Sequence, residues 1–368
     1  MTNRVKTLTG LKSIVIKIGS NALTRPEGGL DEGILTNLCS NLAELIQNRF
    51  SITLVSSGAI STGMHELGLR ERPKRMSMLQ AAAAVGQYVL MSHFSQALRP
   101  YDLHAGQILV TRSDFEDRTR YLNLRNCIDA LQRSAALPII NENDAVAVDE
   151  IRFGDNDLIA AHVTNLVGAD LLILLSVVDG LLDKDNQVLS VVDAMDDQVA
   201  SIVRPEKSSR GTGGMGSKLI AAGTVKIAGR PVLIANGKTP NIIRKLLQGE
   251  STGTLIMPGK KRLAAWDRWI MTHQPSGIVH VDTGAAAALR NEKSLLAKGV
   301  IGVTGIFSAG DIVEIVESGS GVLGRGKIKF SSEEMGRIKG LASAQIPAAL
   351  QREKSPECVI HKDDLVMF

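Results

Sequence analysis

Six short runs of aliphatic and β-branched residues punctuate the first 240 positions of the chain, at 13–18, 52–56, 107–111, 137–140, 171–178 and 231–235. Each is apolar on successive positions rather than alternating, the pattern of a strand covered on both faces. Between them, apolar residues recur at helical spacing over 31–48, 77–99, 119–134, 156–167 and 216–228. Strand and helix therefore alternate. This predicts an α/β fold, a three-layer αβα sandwich around a mostly parallel sheet, with ligands bound beyond the carboxyl ends of the strands.

The pattern changes after Pro258. Short alternating stretches at 277–281, 300–303 and 311–316, a strand-like 326–330 and one Ala-rich helical segment at 284–290 predict a small β-rich second domain. The expected organisation is a first domain over 1–257, a connector over 258–276 and a second domain over 277–368. No fixed-period repeat or low-complexity segment is present.

Composition narrows the picture. With 368 residues, 44% hydrophobic and 22% charged, the chain is globular rather than disordered or fibrous. Aromatics at 3% and 35 glycines point to an aliphatic core with many close backbone approaches. Cys39, Cys127 and Cys358 are too scattered for a disulfide framework or a metal cluster, so a reducing cytoplasm and no resident metal are expected. The first 13 residues lack an apolar core and no stretch offers about 18 uninterrupted apolar residues, so a soluble, unprocessed chain without a membrane span is expected. The net charge of +4 comes mainly from the connector, with 4 basic residues against 1 acidic, while the second domain is balanced at 11 against 11. No module is basic enough for general nucleic-acid binding, and Lys260-Lys261-Arg262 reads as a solvated linker.

The chemistry sits at the strand ends. Lys17 lies on the first strand and is followed at once by Gly19-Ser20, which places a cation beside free backbone amides. That suits a phosphate, although a strand-end lysine reaching solvent has the same pattern. Ser56-Ser57-Gly58-Ala59-Ile60 is a second small-residue turn, and without the glycines of a nucleophile elbow its serines read as binding groups. Asn141-Glu142-Asn143-Asp144 and Gly154-Asp155-Asn156-Asp157 form a dense polar cluster. It could hold a substrate amino group, order a lysine or hold Mg²⁺ through water, and it also supplies a cap for the helix that follows.

Gly211-Thr212-Gly213-Gly214-Met215-Gly216-Ser217-Lys218 formally matches a dinucleotide fingerprint. No strand precedes it, and the next acid, Glu250, lies about 30 residues on rather than about 20. What remains is a glycine loop opening a helix, with Lys218 in the first turn, suited to a phosphate at a helix N-terminus. Two lysines, two glycine turns and a carboxylate cluster together describe phosphoryl transfer, in which fixed cations and amides stabilise dispersed negative charge.

In order and spacing, Lys17-Ile18-Gly19-Ser20, Ser56-Ser57-Gly58-Ala59-Ile60, Asn141-Glu142-Asn143-Asp144-Ala145-Val146, Gly154-Asp155-Asn156-Asp157 and Thr212-Gly213-Gly214-Met215 resemble the amino acid kinase family, and within it the branch acting on glutamate. The segment from Gly277 is similar to a PUA domain. The resemblance implies ATP-dependent phosphorylation of the L-glutamate γ-carboxylate, the first step of proline biosynthesis, with Mg²⁺ carried by ATP and proline as feedback inhibitor. It implies that Lys17 and Lys218 neutralise the phosphates and that Asp157 orients them. Ser57, Asn141, Asp144 and Asn156 would hold glutamate, with Arg125 near its pocket. Gly19, Ser20, Ser176, Val177 and Thr212 to Met215 would line the nucleotide. A homo-oligomer, dimer or tetramer, is also implied.

One position departs from the family pattern. Where the family carries Thr-Asp after the fifth strand, this chain has Ser176-Val177, so the hydroxyl is kept and the carboxylate is lost. Weaker or altered nucleotide binding, with catalysis retained, is the expectation. The alternatives are a family member acting on another acid, or an RNA-binding role for the second domain, which its balanced charge does not support.

Overall fold

A computed structural model of the chain describes residues 3–25, 28–147, 156–193, 214–259, 262–319 and 321–368. The chain divides into two compact units, Met1–Arg262 and Leu263–Phe368. No helix among the described residues is long and apolar enough to cross a membrane.

In the first unit, β1 (Ser13–Ile18), β2 (Ser51–Ser56), β3 (His104–Val110), β4 (Ala136–Glu142), β5 (Leu171–Ser176), β6 (Val191–Val192), β7 (Val232–Asn236) and β8 (Thr254–Ile256) make one sheet, ordered β3-β4-β2-β1-β5-β7-β8-β6. The central strand dictates this arrangement. Ile14, Val15, Ile16 and Ile18 are all fully buried, so β1 must be covered on both faces, which parallel strands with helical crossovers achieve. β1 pairs in parallel with β2 and β5, placing Lys17 opposite Val55 and Leu174. Ser176 stands level with Asn236 on β7. The carboxyl ends of these strands thus lie side by side, and the polar residues that follow them are gathered along one edge.

β8 runs antiparallel to β7, and β6 pairs in parallel with β8, so the sheet is mostly parallel as expected. At two and three residues, β6 and β8 are too short to leave an apolar run in the sequence. The connecting helices are α1 (Glu32–Gln47), α2 (Ala59–Glu66), α3 (Met76–Leu98), α4 (Arg118–Arg133), α5 (Asn156–Val167), α6 (Met215–Ile227) and α7 (Ile242–Leu247). Asp31 and Asp117 cap α1 and α4 by accepting from Ile34 N and Arg120 N. α2 was read from sequence only as part of a turn, because Gly58 and Gly63 mask a helix of eight residues.

α2 and α3 cross in backbone contact. A Cβ on Gly63 would stand 1.7 Å from the Ala82 carbonyl oxygen, and one on Gly86 would stand 1.9 Å from that of Ala59. Only glycine permits this approach at either position.

The second unit carries β9 (Gly277–Val281), β10 (Val300–Gly305), β11 (Ile312–Glu317), β12 (Gly321–Lys327) and β13 (Leu365–Met367) in one sheet, ordered β10-β9-β11-β12-β13. Val279, Val281, Val313, Ile315, Phe330 and Met335 form its core. It also contains α8 (Ala265–Thr272), from the segment expected as connector, α9 (Thr283–Arg290) and α10 (Ser332–Ile338). α10 opens on a capping box between Ser331 and Glu334. The strand expected at 326–330 lies instead at Gly321–Lys327. Its glycines are required: a Cβ on Gly324 would sit 2.3 Å from the Val366 carbonyl oxygen of β13.

Replacing Gly86 by Ala should therefore destabilise the chain. Alanine gains about 0.5–1 kcal/mol in an ordinary helix interior, whereas forcing packed elements apart costs about 1–3 kcal/mol. Urea unfolding of Gly86→Ala is expected to show a net loss of about 1 kcal/mol or more. An unchanged midpoint would mean that α2 and α3 do not depend on this contact.

Candidate functional site

Three elements deliver the charged centre. Lys17 comes from the carboxyl end of β1, Asp157 from the first turn of α5 and Lys218 from the first turn of α6. α5 packs against β1, β2, β4 and β5, and α6 packs against α5 and β7, which brings the two helix starts together. Lys17 Nζ lies 2.6 Å from Asp157 Oδ1, and Lys218 Nζ lies 3.0 Å from Asp157 Oδ2. The Ser217 hydroxyl stands 3.3 Å from Oδ2 and 2.8 Å from the Gly214 carbonyl oxygen.

All three charged residues are buried: Asp157 is 0% exposed, Lys218 5% and Lys17 6%. Burial alone would raise the Asp157 pKa, but the two ammonium groups and their hydrogen bonds outweigh it and hold the carboxyl down at about 2. Among the described residues two cations share this one anion, an excess of +1 within the triad in a setting where unpaired charge is costly. Lys218 also sits at the positive end of the α6 dipole. A bound anion would relieve both.

The surrounding turns suit such an anion. Gly19 starts a single helical turn over Ser20–Leu23, and the position its Cβ would take is 3.6 Å from Lys17 Nζ. Gly58 has φ +107° and packs against Ser20, so the turns after β1 and β2 are adjacent, and Ser57, half-buried, donates its backbone N–H to the Ile18 carbonyl. Gly214 is the N-cap of α6, with Met215 its first residue. Thr212 and Gly213 lie outside the described residues, as do Gly154 and Asp155.

Beside the charged centre runs a chain of amides. Glu142 N donates to Asn141 Oδ1 at 2.9 Å, Asn141 Nδ2 donates to Gln87 Oε1 at 2.8 Å, and Asn156 Nδ2 donates to Asn141 Oδ1 at 3.1 Å. Gln87 Nε2 and Asn156 Oδ1 are buried without partners among the described residues. Each such group costs about 1–3 kcal/mol, which a ligand offering the complementary atom would recover. Asp144 is half-buried at the end of the same segment, and burial pushes its carboxyl up to about 6 against the opposing pull of Arg72.

Gln87 went unrecognised in the sequence. The signal was present: Leu79, Ala82, Ala83, Gly86, Leu90 and Phe94 form the buried stripe of α3, and Gln87 falls within it. Arg125, half-buried on α4, makes no hydrogen bond or ion pair among the described residues, so the structure does not join it to the cluster. Ser176 ends β5 with its carbonyl accepting from Gly237 N, and Val177 is exposed. Asp179, the nearest carboxylate to Val177 in sequence, accepts from Asn236 Nδ2 at 2.9 Å.

The family model described as the amino acid kinase family matches residues 12–236, and that of the PUA domain matches residues 277–350. A glutamate 5-kinase of Caldanaerobacter subterraneus subsp. tengcongensis is 40% identical over 363 residues, covering 96% of this chain and 97% of the relative. One of Dehalococcoides mccartyi strain CBDB1 is 40% identical over 368 residues, covering 97% and 98%. One of Methanococcoides burtonii is 40% identical over 376 aligned positions, covering both chains in full.

The charged centre predicts a defined acid response. Asp157→Asn leaves two buried ammonium groups without their counter-charge, a loss of about 3–5 kcal/mol near neutrality. Because the folded pKa is depressed, Asp157 contributes fully above the unfolded carboxylate value near 4, and the contribution disappears as pH falls through about 2. Urea unfolding should show a parent–variant gap that narrows from about pH 4 downward. A gap constant to pH 2 would contradict the pairing.

Proposed function

We propose that this chain, which belongs to the amino acid kinase family and is a kinase, transfers the terminal phosphoryl group of ATP to the γ-carboxylate of L-glutamate, the first step of proline biosynthesis. The observation that carries the reading is the buried triad with its net positive charge, set beside glycine turns and a polar cluster. The names of the relatives supply the substrate.

In this reading a γ-carboxylate oxygen attacks the terminal phosphorus, the bond to the bridging oxygen of ADP breaks, and an acyl phosphate results. The acceptor is already ionised at neutral pH, so no general base is needed. Lys17 and Lys218 meet the charge that spreads over the transferred group and the leaving phosphate. Asp157 holds the two ammonium groups at a fixed separation and acts by positioning. Gly19, Ser20, Gly214 and Met215 supply the turns around the phosphates, with Ser176 and Val177 toward the nucleotide; Thr212 and Gly213, assigned to the same contacts, lie outside the described residues. Mg²⁺ would enter on the nucleotide phosphates.

Ser57, Asn141, Asp144 and Asn156 would hold glutamate, with Asp144 and Asn156 facing the α-ammonium group. Proline, which shares the ammonium and α-carboxylate groups but lacks the γ-carboxylate, would compete for the same place. Assembly into a dimer or tetramer belongs to the same proposal. So does a cytoplasmic location.

Turnover of ATP with L-glutamate, N-acetylglutamate, aspartate and carbamate, with hydroxylamine trapping the product, tests the reading. Hydroxamate with glutamate alone, suppressed by proline, is expected. Turnover with another acid only would overturn the substrate. Lys17→Ala and Lys218→Ala should each lower turnover on the order of 10²–10³-fold, and near-normal turnover in either would contradict its role.

Asp144 gives a separate check. Burial pushes its carboxyl up to about 6, so its negative charge is lost progressively as pH falls through that region. The KM for glutamate should rise as pH falls from 7 through 6, with kcat at saturating glutamate and MgATP held. Asp144→Asn should show a high KM that does not vary across this range. A flat KM in the parent would remove Asp144 from the ammonium site.

A further inference from the structure

The amide chain has a direction, which one backbone donor identifies and Gln87 helps to hold. Glu142 N–H can only donate, so the Asn141 atom 2.9 Å away must be Oδ1. Asn141 therefore turns its Nδ2 toward Gln87, 2.8 Å away, and Gln87 must answer with Oε1. The same Asn141 oxygen is what Asn156 meets at 3.1 Å, so Asn156 must bring Nδ2 to it and leave Oδ1 unpartnered. Were Asn141 turned over, Asn156 would have to offer its oxygen inward and its two N–H groups outward. The site would then present donors to an ammonium group, which has only donors of its own.

Gln87 closes this chain from the far side. It follows Gly86 on α3, and the Gly63–Gly86 contact sets how near α3 stands to α2. The residue is 9% exposed, and its Oε1 bonds Asn141 Nδ2.

We infer that Gln87 is a positioning residue for substrate selection. Its Oε1 holds Asn141, and through Asn141 it keeps the Asn156 oxygen presented as an acceptor for the substrate's ammonium group. The inference rests on the substrate reading above, in which Asn156 faces that ammonium group.

Glutarate, which has the carbon chain and both carboxylates of glutamate without the ammonium group, separates the two levels. The readout is the ratio of kcat/KM for L-glutamate to that for glutarate. Gln87→Met, of similar length but with only a weakly accepting thioether in place of the amide oxygen, should lower the ratio tenfold or more, mainly through the KM for glutamate, while the KM for ATP stays within twofold. Gln87→Glu keeps an acceptor oxygen toward Asn141 and should retain the ratio within threefold.

Equal losses on both acids in Gln87→Met, or an unchanged ratio, overturn the positioning role. So does a Gln87→Glu variant that loses the ratio, and this variant decides the matter alone if Gln87→Met does not fold. A parent protein that uses the two acids equally well overturns the substrate reading itself, a failure distinct from that of Gln87.

Discussion

Two ammonium groups held out of water against a single carboxylate are the constraint around which the first unit is arranged. Lys17, Asp157 and Lys218 come from a strand and two helices far apart in sequence, and their contacts of 2.6 and 3.0 Å require all three elements to be in register. The parallel pairing of β1 with β2 and β5 and the packing of α5 against the sheet meet that requirement. A carboxylate with no exposure is tolerable only with such partners, and two cations around it remain over-charged until an anion arrives. Stability thus depends on all three side chains, and the excess positive charge on the two lysines that Asp157 holds.

The neighbouring polar cluster follows a different logic. Its order comes from hydrogen-bond direction, fixed at Asn141 by the Glu142 N–H and by Gln87 and passed on to Asn156. It lies beside a helix crossing that only glycine allows. In the proposed reading charge would govern the phosphate side of the site, while amide orientation and the elevated carboxyl of Asp144 would govern the other. In that reading, separating the two would let anion affinity and amino-acid selectivity be altered independently.

How much of this could be read beforehand depends on the kind of signal. β1, β2, β5 and β7 were legible because a buried parallel strand is a continuous apolar run, and α5 and α6 because their periodicity is helical. Lys17, Asp157 and Lys218 stood out as charges in small-residue turns, although only the fold shows that they meet. β6 and β8 were too short to leave a pattern, and Gly321 and Gly324 hid the start of β12, so the pattern placed that strand at 326–330. Gln87 was overlooked because one polar residue on the apolar stripe of α3 carries no motif of its own. Its meaning depends on Asn141, 54 positions away.

The central claim is that the triad binds phosphate through its excess positive charge, with Asp157 serving only to hold the lysines. Calorimetric titration of ADP into the parent and Asp157→Asn proteins, alongside turnover of the same samples, tests it most directly. Removing the negative charge should leave ADP affinity equal or higher while turnover falls at least 100-fold, on the order of the loss when a fixed electrostatic group is removed. A variant in which affinity falls by the same factor as turnover would contradict the account, because Asp157 would then be needed for nucleotide binding itself.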